Sequence, residues 1–192
     1  MEWIVPGTVI TAQREDAALI EQKFRAIFLA GGMVLSQVSR LTGLEPYTIQ
    51  NWVKRGFLTG PVNKRYSIRQ LCRILNINML KSALPMEQIC GLLSYINGEL
   101  DNEADDLIDD SVLYFLFVRL ASDYARMHNA QGRDRYLEEL LSDYQEPIPG
   151  AKERVAQVLR IMLTAWAAAQ LRQQAEGMVK SLQSTVNVYK EA

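Results

Sequence analysis

Leu35-Ser36-Gln37-Val38-Ser39-Arg40-Leu41-Thr42-Gly43-Leu44-Glu45-Pro46-Tyr47-Thr48-Ile49-Gln50-Asn51-Trp52-Val53-Lys54-Arg55-Gly56 reads as two short helices around a sharp turn. Leu35, Val38 and Leu41 recur at helical spacing, with Ser36 as the expected cap. Ser39 is small where a second helix could cross closely, Gly43 supplies the positive φ a tight turn needs, and Leu44 returns to the core. The second helix is expected over about Glu45 to Arg55, with Pro46 in the first turn, where a missing N–H costs nothing. Ile49, Trp52 and Val53 form its inward face; Tyr47, Gln50, Asn51 and Lys54 form the opposite one. Gly56 is placed as the stop. The pattern is that of a helix-turn-helix.

Working outward, Phe57 to Tyr66 reads as a two-stranded β-wing, with Gly60-Pro61 as its turn. It carries Asn63, Lys64 and Arg65 beside Tyr66. Ser67 then caps a helix bearing Arg69 and Arg73 near its start, and Pro85 opens another with Met86, Ile89, Leu92 and Leu93 on its apolar side.

Before this block, Met1 to Ala12 reads as irregular and Gln13 to Ala30 as a helix stopped by Gly31-Gly32. After it the chain is helical over about Ala104 to Asn129, Arg133 to Tyr144 and Ala151 to Tyr189, with breaks at Ala130-Gln131-Gly132 and Pro147-Ile148-Pro149-Gly150. The expected organisation is an N-terminal arm and helix (1–32), a winged helix-turn-helix (33–96) and a helical domain (97–192). The fold class is thus all-α with a small β-wing. The last helix carries an apolar stripe, Val155, Leu159, Met162, Trp166, Leu171, Ala175, Met178, Leu182, Val186 and Tyr189. At 1.5 Å per residue it runs for roughly 52 Å, too far for a domain this small to cover, so a homodimer through the C-terminal helices is expected.

Net charge is −1, but its distribution is uneven. Residues 33–96 hold eight Lys and Arg against two acids, whereas 97–146 hold four Arg against thirteen acids. A basic block beside an acidic one indicates two regions with different tasks. The longest purely apolar run, Val112 to Val118, is far short of the roughly 20 residues that cross a bilayer, so no membrane partner is expected. No N-terminal signal is read in the opening residues, and Cys72 and Cys90 are too few for a disulfide framework, which favours the cytoplasm and packing thiols over redox sensors.

The quoted block resembles the DNA-binding domain of MerR-type regulators. It is still more similar to a bacterial family of uncharacterised proteins with a MerR-like domain, through Thr48, Ile49, Asn51, Trp52, Val53, Lys54, Gly56, Pro61, Lys64, Tyr66 and Ser67. Gln50 stands where MerR-type helices usually place Arg, and the wing is several residues shorter. The resemblance and the charge pattern together imply a homodimeric, sequence-specific transcriptional regulator that binds double-stranded DNA. Tyr47, Gln50, Asn51 and Lys54 would face base edges, and Arg55, Asn63, Lys64, Arg65, Tyr66 and Arg69 would hold or flank phosphates. The alternative is a protein-interaction adaptor that kept the scaffold without DNA affinity.

No catalytic residues, metal or cofactor are expected, since the chain lacks a Gly-rich phosphate loop, a nucleophile elbow and a histidine cluster. Asp105, Asp106, Asp109 and Asp110 are read as solvated near a helix start rather than as cation ligands, and His128 as a surface group at a helix end. The helical domain leaves room for a small-molecule effector.

Overall fold

The structure is a computed structural model that describes the backbone of residues 2–29, 31–124, 127 and 129–190, and side chains to residue 183 except that of residue 130. His128 lies outside the described residues, as do the side chains of Val186 and Tyr189. Strands β1 (Glu2–Ile4) and β2 (Thr11–Gln13) form one antiparallel pair, β3 (Met33–Val34) and β4 (Arg65–Tyr66) another. The helices among the described residues are α1 (Ala17–Phe28), α2 (Leu35–Thr42), α3 (Pro46–Lys54), α4 (Ile68–Leu80), α5 (Met86–Asn97), α6 (Asp110–Ser122), α7 (Ala130–Leu140) and α8 (Ala151–Lys190). The chain is mostly helical, with two small antiparallel sheets.

Helix α4 is the hub: nine of its thirteen residues are buried, and α1, α2, α5, α6 and α8 pack around it. Ser67 starts it as expected. Its hydroxyl accepts the Gln70 N–H at 3.2 Å while the Gln70 amide oxygen accepts the Ser67 N–H at 2.9 Å, a reciprocal cap. The same Gln70 side chain donates to Gly60 O at 2.7 Å and so ties the loop after α3 to the hub.

The turn between α2 and α3 is held by small polar side chains. Gly43 sits at φ 70°. The Ser39 hydroxyl donates to Leu44 O at 2.6 Å, and the Thr42 hydroxyl donates to Val38 O at 2.8 Å while accepting from Leu44 N. Leu44, Ile49 and Trp52 drop into the core. Helix α3 ends in a Schellman arrangement: Gly56 is at φ 72°, Phe57 N donates to Trp52 O and Gly56 N to Val53 O.

Several boundaries differ from expectation. Residues 2–12 are not irregular. Val5 N donates to Ile10 O around a turn containing Gly7, and Trp3 and Val5 are buried, so a hairpin precedes α1 and delays its start to Ala17. Helix α2 begins at Leu35, one residue before the expected Ser36 cap, because the Gln37 side chain accepts the Val34 N–H. The turn assigned to Gly60-Pro61 lies instead at Asn63-Lys64. Both residues have positive φ, 50° and 63°, and Val62 and Arg65 exchange two backbone hydrogen bonds, as in a type I′ hairpin. The β4 strand then pairs with β3, from before α2.

Helix α6 starts at Asp110 rather than near Ala104. Leu107 and Ile108 are drawn into the core through a bend ahead of the helix, with Leu107 N donating to Ile96 O, and the Asp109 carboxylate caps the helix by accepting Ser111 N. The expected break at Ala130-Gln131-Gly132 is the first turn of α7, because the Asn129 side chain caps it through Gly132 N at 2.8 Å. Helix α8 runs 40 residues. It is buried through Trp166 and Ala167, where Trp166 meets Phe117 and Tyr124 edge-on, and is almost wholly exposed from Ala168 to Gln183. Among the described residues no helix is long and apolar enough to cross a membrane.

Candidate nucleic-acid interface

The outer face of α3 is open. Tyr47 is 72% exposed, Gln50, Lys54 and Arg55 are exposed, and Asn51 is half-buried. None of the side chains of Tyr47, Gln50, Asn51, Lys54 or Lys64 is engaged in a hydrogen bond or ion pair among the described residues. Across a cleft of about 630 Å³ stands the Asn63-Lys64 hairpin, so Gln50 and Val53 line one wall and Pro61, Lys64 and Tyr66 the other. The start of α2, at Leu35 and Ser36, closes one end.

Of the ten residues expected here, eight are brought to this surface with polar groups available. Arg65 is exposed and steadied by one bond from Nη1 to Gly32 O at 2.9 Å. Arg55 folds back over the Phe57 ring, 4.7 Å from its centroid, which turns it toward the end of α3. The other two depart. Tyr66 is buried in the cleft floor, and that burial raises its phenol pKa above the ordinary value. Arg69 is held by acids: its Nη2 lies 2.6 Å from Asp106, and Glu103 and Asp109 are within 4 Å.

The acidic segment therefore corrects a second expectation. Asp106 and Asp110 are not solvated. Asp110 is 1% exposed, 3.2 Å from Arg73 Nη1, and Arg73 Nε donates to Phe57 O at 3.1 Å. Burial raises the carboxyl pKa values of both Asp106 and Asp110, against the opposing pull of Arg69 and Arg73 respectively. Arg69 and Arg73 are thus consumed at a seam between α4 and the start of α6, a long-range pairing that spacing along the chain does not reveal. Cys72, packed beside that seam, is fully buried, and burial pushes its thiol well above the usual range.

Residues 20–117, about half the chain, match the family described as "Domain of unknown function (DUF1836)". The "Uncharacterized protein YkrK" of Bacillus subtilis (strain 168) is 34% identical over 84 residues, which cover 42% of this chain and 36% of that protein. The likeness thus spans little more than a third of the relative's length. No solved structure matches the chain.

Proposed function

We propose that this chain, which belongs to the DUF1836 family, is a transcriptional regulator that binds double-stranded DNA sequence-specifically as a homodimer. On this reading α2 and α3 are a MerR-like helix-turn-helix, and the Asn63-Lys64 hairpin is its wing. The observation that carries it is the unpaired surface just described: two amides, a phenol and a cation project from α3. Lys64 stands across the cleft with the exposed Arg65 next to it in the hairpin, and the acidic segment packs on α4. A helix of this kind enters the major groove with its outward side chains against base edges, and flanking cations grip phosphates.

The homodimer reading rests on α8. From Gln170 to Gln183 its side chains are exposed, with Leu171, Met178 and Leu182 between 64% and 69% accessible on one stripe. A second α8 packed along that stripe would bury it. Two subunits joined this way would place half-sites whole helical turns apart, about 34 Å each.

Titrating salt tests the proposal. A protein engaging about four phosphates should show log K falling against log[salt] with a slope near −3 to −4. The adaptor reading predicts only feeble attachment to every duplex at all salt concentrations, and that result would remove DNA binding from consideration.

A further inference from the structure

The α3 surface bears on which base pairs such a protein would read. Arginine and lysine are the side chains that grip guanine O6 and N7, whereas Asn and Gln match the donor–acceptor pair on adenine N6 and N7. On α3 the outward positions hold Gln50 and Asn51, both without an internal partner. The guanidinium at its C-terminal end, Arg55, is stacked on Phe57, away from the Gln50 and Asn51 positions in sequence. Around Gln50 the lining of the cleft is largely apolar, with Val53, Leu35, Pro61 and the buried Tyr66 ring among its residues. In the major groove the apolar feature that distinguishes bases is the thymine C5-methyl group.

We infer that the base pairs facing Gln50 and Asn51 are A·T pairs, with these two amides pairing to adenine edges and the Val53 side of the cleft accepting thymine methyl groups. This rests on the DNA-binding reading and deepens it by naming the substrate class. Lys64, across the cleft, supplies a phosphate contact that is indifferent to sequence, so affinity and preference at these pairs are carried by different side chains.

The test uses the full chain and a randomised 40-base-pair duplex pool. Retained duplexes should share a run of A·T pairs. In the selected duplex, exchanging one contacted A·T pair for G·C should weaken binding about 10-fold or more. Replacing its thymines by deoxyuridine, which removes only the methyl groups, should weaken it a few-fold. The variant Gln50→Ala with Asn51→Ala should flatten the A·T preference while keeping sequence-independent binding. Both positions lie outside the core, and an unchanged melting temperature would show that the fold survives.

Selection of G·C-rich duplexes, or equal binding of thymine and deoxyuridine duplexes, would overturn the inference while leaving DNA binding intact. If the pool yields no retained duplex at any salt concentration, the underlying DNA reading falls and takes the inference with it.

Discussion

Lys64 and Arg73 belong to the same basic block, nine residues apart in sequence, and meet opposite fates. Lys64 stands at the tip of a tight hairpin with no counter-charge among the described residues, whereas Arg73 is buried against Asp110 and braces the end of α3 through Phe57 O. The hairpin surface leaves its cations exposed. The α4–α6 seam spends its cations on the fold. A count of charges along the chain therefore overstates what the block offers to a polyanion, because at least Arg69 and Arg73 are already neutralised internally.

The strongest way to break this contrast is Arg73→Met. Removing one partner of a buried pair costs about 3–5 kcal/mol because the other charge is left uncompensated. Chemical denaturation at neutral pH should report that loss. Its pH dependence has a defined sign. Burial already holds the Asp110 carboxyl above its unfolded value, so its contribution is fully present below the ordinary carboxylate pKa and is lost as pH rises through the folded one. Without the guanidinium that folded value climbs further. The variant's deficit should accordingly shrink as pH falls toward the carboxylate range, and a deficit that grows on acidification would contradict the arrangement.

Next in size is Met178→Glu with Leu182→Glu, on the exposed stripe of α8. Each buried apolar side chain of this kind is worth about 1.5–3 kcal/mol, so self-association should weaken by at least about 100-fold. Sedimentation would detect the shift to monomer, while an unchanged mass would show that the stripe is not the contact. Lys64→Ala with Arg65→Ala sharpens the comparison from the other side. Thermal stability should stay within about 0.5 kcal/mol. The salt slope of duplex binding should drop by about 2. A variant as salt-sensitive as the parent would mean that these cations face water alone.

The smallest expected effect is Lys64→Gly. A lysine at φ 63° is strained, and glycine relieves that strain at some entropic cost, for a net gain of up to about 1 kcal/mol. The same change should lower the salt slope by about 1. Rising stability with falling duplex affinity would mark Lys64 as a residue kept for binding at the expense of the hairpin.

Much of this surface was legible in the chain. Pro46 and Gly56 bracket α3 because one fits a first helical turn and the other a left-handed cap, and the spacing of Ile49 and Trp52 leaves Gln50, Asn51 and Lys54 outside. Ser67 and Gln70 announce a capped helix in the same local way. The long α8 was readable from its unbroken length. These features depend on residues within a few positions of one another, where backbone sterics and helical period suffice.

What only the tertiary structure decided involves partners far apart. The hairpin turns at Asn63-Lys64 rather than Gly60-Pro61 because β4 registers against β3, some thirty residues earlier, and Gln70 holds Gly60 in place. Arg69 and Arg73 look like phosphate ligands by position, but the chain brings acids from the start of α6 onto them. Asp106 and Asp110 look solvated by composition and are drawn in by the same pairing. A side chain's type states what it can bind; which charge reaches it first is set by how the helices pack, and that depends on contacts between residues more than thirty positions apart.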